Sequence, residues 1–219
     1  MARTRAGRRG SEMAEEWMAV AQVLGVFEKL TREARELMRR LLGPIADAAE
    51  ERIADRISAA RSANLQRVAE RVVELMHGAQ PRAVELTILV PILHHASLED
   101  REDLVSKWAG LLALAASGED VHTAYPKILA EITPAEARLL DVLYRWETTS
   151  ADEGDRDLLK HARLSQTNLP VAQMNLGLRH GLINEVHTSF WKPDLLRWDN
   201  IRLTPLGTDF VRVCRGPSG

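Results

Sequence analysis

Cysteine is almost absent from this sequence, since Cys214 is the single one among 219 residues. An intramolecular disulfide needs two cysteines, so the fold cannot depend on one. Proteins without disulfides are typical of reducing compartments. We therefore expect a cytoplasmic protein that is stabilised by its hydrophobic core.

Long apolar runs and a strong net charge are also missing. No apolar stretch approaches the roughly 20 residues that span a bilayer, so no transmembrane segment is predicted. The basic start, MARTRAGRRG, is followed by an acidic stretch from Glu12 rather than by an apolar one, which argues against a secretory signal. The net charge of -2 gives the molecule no overall field that would attract nucleic acid.

The sequence motifs of common catalytic and metal sites do not occur. There is no HExxH, no paired CxxC, no GxSxG and no GxxxxGK[ST]. His94 and His95 are neighbours on a predicted helix, so their side chains diverge by about 100° and cannot both bind one metal from that helix. We therefore expect no enzyme activity, no catalytic, cofactor-binding or metal-binding residues, and no cofactor.

Apolar residues are densest in residues 87–117, TILVPILHHASLEDREDLVSKWAGLLALAAS. Ser97 is predicted to cap a helix whose first turn is acidic, and Gly118 is predicted to end it. One buried face is indicated by residues at helical spacing: Leu104, Trp108, Leu111, Leu112 and Ala115. This stretch should be the centre of the core.

Upstream, residues 1–10 are predicted to be a disordered basic arm, and residues 11–132 a helical domain. Apolar positions then alternate in steps of three and four, as in a seam between helices: Trp17, Val20, Leu24, Phe27, Thr31, Ala34, Met38 and Leu41. Gly43 and Pro44 break this helix, and a second apolar stripe follows up to Leu75. We expect a long helical hairpin packed on the core, while self-association through the N-terminal helix stays open.

Residues 133–219 are predicted to form a winged-helix-like domain. Thr133, Pro134 and Glu136 make a capping box at the start of a helix. Further helices are predicted at residues 157–164, 169–180 and 205–213, and residues 182–187 and 200–203 alternate as two paired strands. The expected fold class is therefore mainly α, with a helical hairpin on a helical body and a C-terminal winged helix-turn-helix-like module with a short two-stranded wing.

A family resemblance rests on four segments in a fixed order. They are GPIADAAEERI at 43–53, RSANL at 61–65, PILHHASLEDREDLVSKWAGLLA at 91–113 and ITPAEARLLDVL at 132–143. Together they resemble the Abi-alpha family of bacterial proteins, which is associated with abortive phage infection. The resemblance covers roughly residues 43–213. It implies a helical body and a role in defence against phage, and it supplies no catalytic residues.

Two functions remain open for the last domain. It either contacts an unidentified protein partner or binds DNA as a regulator, with helix 169–180 in the major groove. From Pro134 onward, eleven Lys and Arg residues balance eleven Asp and Glu residues, so the phosphate attraction of most DNA-binding domains is missing and protein contact is favoured. The candidate contact residues for either partner are Gln173, Asn175, Arg179, Lys192 and Arg197.

A third possibility is that the helical hairpin binds a membrane surface. Such helices usually segregate Lys and Arg on one polar face. Here Arg and Glu are mixed along the hairpin, which argues against this function.

Overall fold

A computed structural model describes residues 32–42, 59–148, 168–185 and 201–217. These residues are mainly helical, as predicted, with one two-stranded antiparallel sheet. They divide into two compact units, one up to Lys127 together with the residues from Arg215, and one from Ile128 to Cys214. None of the described helices is long and apolar enough to cross a membrane.

In the described residues, the first unit contains four helices and the start of a fifth: α1 (Arg32–Leu42), α2 (Ala59–Met76), α3 (Leu86–Leu98), α4 (Glu102–Ser117) and α5 (Tyr125–Glu131). Helix α4 packs against α2 and α3. Trp108 at its centre is 1% exposed, and Leu104, Leu111 and Leu112 are buried as well. The prediction that this stretch is the centre of the core is confirmed.

Helix α4 ends at the predicted glycine. Gly118 has a φ of 92°, in the left-handed region that glycine adopts without strain, and its N–H donates to the carbonyl of Ala115 at 3.2 Å. A Cβ at this position would lie 2.7 Å from the guanidinium of Arg82. The left-handed backbone conformation is therefore the reason for glycine here, since the flexible Arg82 side chain could move away from a Cβ.

The prediction that Ser97 caps α4 is wrong. Ser97 lies in the last turn of α3, where its Oγ donates to the carbonyl of His94 at 2.7 Å, and α4 starts only at Glu102 after Arg101. A serine hydroxyl that bonds back to its own helix is compatible with continued helix, and the buried apolar residues of α3 carry that helix beyond the expected boundary. The acidic first turn of α4 is present, in Glu102 and Asp103.

The link between α3 and α4 is held by a buried carboxylate. Glu99 is 8% exposed, and its two oxygens accept from Nε of Arg101 at 2.7 Å and from Nη2 at 2.8 Å, while Oε1 also accepts from the backbone N–H of Arg101 at 3.0 Å. Burial alone raises the pKa of Glu99, but the hydrogen bonds and the charge of Arg101 outweigh it and leave the pKa below its ordinary value.

Helix α1 contains the last part of the predicted N-terminal seam. The seam residues Ala34 and Leu41 are buried, as is Leu37 between them, and α1 packs against α2 and α3. The carbonyl of Leu41 accepts from the backbone N–H of Val84 at 3.1 Å. This part of the seam is therefore buried within the first unit. The basic arm, the upstream seam and the hairpin connection at residues 43–58 lie outside the described residues, so the hairpin stays a prediction.

The second unit contains α6 (Pro134–Thr148), α7 (Leu169–Gln173), which continues as a π-helix (Met174–Arg179), then β1 (Ile183–Glu185), β2 (Ile201–Leu203) and α8 (Pro205–Val213). The strands pair antiparallel, with Ile183 opposite Leu203, so the predicted pairing is confirmed. The predicted helix at 157–164 lies outside the described residues. The complete winged-helix arrangement therefore stays a prediction.

Two contacts fix the sheet against the helices of this unit. Glu147 on α6 accepts from the backbone N–H of Leu203 at 2.8 Å, and the guanidinium of Arg202 lies 4.4 Å from the ring centroid of Trp146. Gly207 on α8 approaches the start of β1 so closely that a Cβ would lie 1.9 Å from the carbonyl oxygen of Leu182. Only glycine allows this approach.

We expect Trp108→Ala to lower the free energy of unfolding of the first unit by about 3–5 kcal/mol, because it leaves a large cavity in α4. Chemical denaturation followed by circular dichroism measures this change. Trp108→Phe, which fills most of the site, should cost less. An unfolding midpoint that Trp108→Ala does not alter would contradict the burial of this ring.

We also expect the stability that Glu99 contributes to disappear in acid. Its pKa is lower in the folded state than in the unfolded chain, so the contribution is present above the ordinary value of 4.5 and is lost as the pH falls through the lower, folded value. The difference in unfolding free energy between wild type and Glu99→Gln should therefore shrink below that pH. Asp100→Asn, at the exposed neighbouring position, is the matched control, and an equal pH dependence for both variants would contradict the assignment.

Candidate functional site

The helix that sequence analysis proposed as a contact element begins at Leu169 and changes character within two turns. Pro170 in its first turn suits a helix start, since proline has no N–H to leave unpaired. From Met174 to Arg179 the helix widens into π-helical turns, which are rare and often occur at functional sites. It stops at Gly181, as predicted, where φ is 65°.

One face of this helix is buried in the second unit. Ala172 and Leu176 are four residues apart, so they lie on the same side, and both are buried. Gly177 follows Leu176, and a Cβ there would lie 3.4 Å from the carbonyl oxygen of Ile183. Small and apolar residues therefore bring the helix close to β1.

A buried carboxylate joins this helix to the start of α6. Glu136 is 4% exposed, and its Oε2 accepts from the backbone N–H of Thr133 at 2.6 Å. In return, the backbone N–H of Glu136 donates to Oγ1 of Thr133 at 3.2 Å, so the predicted capping box is confirmed. Oε1 of Glu136 accepts from Nδ2 of Asn175 at 3.0 Å. Both carboxylate oxygens thus have donors, as a buried charge requires.

Glu131, at the end of α5, binds the same helix further along. Its backbone carbonyl accepts from Nδ2 of Asn175 at 3.3 Å, and its carboxylate lies 2.8 Å from Nη2 of Arg179. Nε2 of the buried His180 side chain lies 3.5 Å from the same carboxylate oxygen. Asn175, Arg179 and His180 are therefore directed toward Glu131 and Glu136 of their own unit.

The opposite side of the helix is apolar and exposed. Val171, Met174 and Leu178, here called the outer face, are 61%, 59% and 87% exposed. Steps of three and four residues return to nearly the same side of a helix, so the three side chains form one row. Single exposed apolar side chains are ordinary on protein surfaces, but a row of three large ones is a patch of the kind found at contact sites.

The five predicted contact residues have different surroundings. Gln173 is half-buried, Asn175 is half-buried and bonded to Glu131 and Glu136, and Arg179 is exposed but paired with Glu131. Lys192 and Arg197 lie outside the described residues. The structure therefore does not gather the described three into an outward polar row.

The sequence prediction did not include the outer face, because apolar residues at helical spacing ordinarily indicate the buried side of a helix. The sequence does contain one indication of this face, because the short helix has apolar residues on two of its sides. Ala172 and Leu176 suffice for burial, while Val171, Met174 and Leu178 fall on a second side. A helix with one neighbouring core needs one apolar face, so the second face indicates another contact.

Metal binding has no obvious place in the described part of the chain. Those residues contain no group of three or more His, Cys, Asp or Glu side chains that could hold a metal ion. Ion pairs and capping bonds account for the acidic side chains near the outer face. The chemistry that this face offers is apolar contact.

Comparison with known proteins gives one match. The family model for abortive infection alpha matches residues 60–214, which include most of the described residues of both units. No curated protein and no solved structure matches the chain.

We expect Asn175→Ala to lower the free energy of unfolding by about 1–3 kcal/mol, because it removes a donor from the buried carboxylate of Glu136. Arg179→Ala should cost less than about 1 kcal/mol, since the Arg179–Glu131 pair is exposed to solvent. Urea denaturation of both variants measures the difference. Equal costs would contradict the view that the inward contacts, rather than the surface ion pair, hold this helix.

Proposed function

Because the chain belongs to the abortive infection alpha family, whose model spans residues 60–214, we propose that it serves defence against phage by binding another protein, without catalysing a reaction. The family suggests the defence role. Binding to a protein is the mechanism that the chemistry of the second unit supports best. With one cysteine and no need for a disulfide, the chain suits a partner in the cytoplasm.

The observation that carries this proposal is that the helix at 169–179 leaves three large apolar side chains exposed, while two of its polar side chains are paired within the second unit. Asn175 and Arg179 bind Glu131 and Glu136, while the outer face presents Val171, Met174 and Leu178 to solvent. Burial of apolar surface is the main favourable term in protein association. An outer face of this composition gains most from another apolar protein surface.

A DNA-binding regulator is the second candidate, and the two-stranded sheet that follows the helix favours it. A recognition helix, however, reads base edges through hydrogen-bonding side chains, and duplex affinity depends strongly on Lys and Arg contacts to phosphate. The outer face has neither kind of group. The positive and negative residues from Pro134 onward also balance.

No enzymatic step is part of the proposal. The buried carboxylates, Glu99 and Glu136, are both hydrogen-bonded within the fold, where they hold a helix connection and a helix start. Within the described residues, Glu99 accepts hydrogen bonds from Arg101, and Glu136 accepts them from Thr133 and Asn175. Structural roles explain both groups, so neither is assigned to catalysis.

We expect the triple variant Val171→Ser, Met174→Ser, Leu178→Ser to lose protection in a phage plaque assay, because it removes the apolar surface and leaves the inward contacts in place. The matched control is Val73→Ser, Leu98→Ser, which replaces exposed apolar residues of the first unit that are 49% and 50% exposed. It should protect like wild type. Equal amounts of folded protein are verified by circular dichroism.

Duplex affinity, measured across a salt series, separates the two candidates. Binding should be weak near physiological salt and should not depend on Arg179, Lys192 and Arg197, since contacts to phosphate are few. Full protection by the triple serine variant would contradict the protein-contact function. Tight duplex binding that is lost when Arg179, Lys192 and Arg197 are replaced by alanine would favour the regulator.

A further inference from the structure

The outer face has a counterpart in the sequence of the same chain. Val171, Met174 and Leu178 are separated by three and then four residues, and Trp17, Val20 and Leu24 have the same separation. Two helices that carry such rows can pack along each other, because each row lies on one side of its helix. Both rows contain only large apolar side chains.

The part of the N-terminal seam that lies on α1 is already buried within the first unit. Its residues Ala34 and Leu41 are buried on α1, which packs against α2 and α3 within the first unit. The seam upstream of Arg32 therefore remains as a candidate partner for the outer face. We call residues 11–31 the N-terminal segment, and its apolar spacing predicts a helix.

Charge distinguishes the two possible directions of packing. Arg179 follows the outer face at its carboxyl end and is 61% exposed despite its pair with Glu131. Three of the four acidic residues of the N-terminal segment lie just before Trp17, namely Glu12, Glu15 and Glu16, while the fourth, Glu28, is next to Lys29. If the two run antiparallel, Trp17 lies opposite Leu178 and the three acids before Trp17 approach Arg179. In the parallel direction they would meet Asn168 and Pro170, which are uncharged.

The surface area that a stable interface must bury determines how many such contacts an assembly needs. An apolar patch of this kind covers a few hundred Å² at most, whereas a stable interface buries about 800 Å² on each partner. A single contact is therefore too small. A twofold dimer forms the contact twice, because each copy contributes one outer face and one N-terminal segment.

We propose that the outer face binds the N-terminal segment of a second copy of this chain, antiparallel, in a reciprocal dimer. This inference rests on the proposed function only in assigning the outer face to protein contact. It names the occupant as the chain itself. A different protein that binds the outer face would have to displace the N-terminal segment.

Light scattering of the full-length chain over a concentration series tests the assembly. Wild type should form dimers, and Leu178→Ser and Trp17→Ser should each raise the dimer dissociation constant about tenfold or more, since both remove an apolar residue from the contact. Leu98→Ser, a leucine of the first unit that is 50% exposed, is the matched control and should not alter the constant. A wild-type monomer, or a dimer unaffected by both contact variants, overturns the proposal.

Disulfide crosslinking tests the pairing directly. Two full-length copies with different tags are mixed under mild oxidation, one with Leu24→Cys and the other with Val171→Cys, which the antiparallel arrangement places opposite each other. The expected result is a crosslinked species that contains both tags. Val73→Cys in place of Val171→Cys is the control, because Val73 is a valine of similar exposure at 49%. Equal crosslinking of the control, or none with Val171→Cys, overturns the proposal.

The two proposals fail in different measurements. If wild type is monomeric and does not crosslink, but the triple serine variant still loses protection, then protein contact stands and the dimer is wrong. If the crosslinked dimer forms while phage protection follows duplex binding through Arg179, then the dimer stands and the proposed function is wrong.

Discussion

The second unit depends on the requirement that a buried carboxylate have hydrogen-bond donors on both oxygens. Glu136 meets this requirement with the backbone N–H of Thr133 and the side chain of Asn175. The same residue therefore starts α6 and fixes one side of the helix at 169–179. Once that side is fixed toward Glu136, the opposite side, with Val171, Met174 and Leu178, is left at the surface.

This arrangement also explains why helix order alone is a poor guide to function, since the same fold serves several kinds of binding. A helix that precedes a two-stranded sheet is the position of a DNA-reading helix in winged-helix proteins. Here Asn175 is hydrogen-bonded to Glu131 and Glu136, and the exposed Arg179 is paired with Glu131, so both polar side chains already have partners in their own unit. The exposed chemistry is apolar, and apolar side chains favour a protein surface over a phosphate backbone.

Local signals predicted much of the fold. The capping box at Thr133 and the stop at Gly118 follow from short-range backbone requirements, and the two strands follow from alternating apolar residues; all are present. The exception is Ser97, which has the chemistry of a helix cap but lies inside α3. Whether a residue caps a helix depends on where the preceding helix ends. Burial of α3 decided that it extends past Ser97, and the residues near Ser97 do not reveal this burial.

By itself, the sequence determined the mainly helical class, the buried row around Trp108 and the family, because periodicity, helix-end chemistry and motif order depend only on which residues follow one another. Only the tertiary structure decided which apolar residues face solvent. Val171, Leu176 and Leu178 are all apolar residues of one helix, yet Leu176 is buried and the other two are exposed. Periodicity places residues on the sides of a helix. Which side the protein buries depends on contacts with Glu131, Glu136 and Ile183, which lie outside that helix.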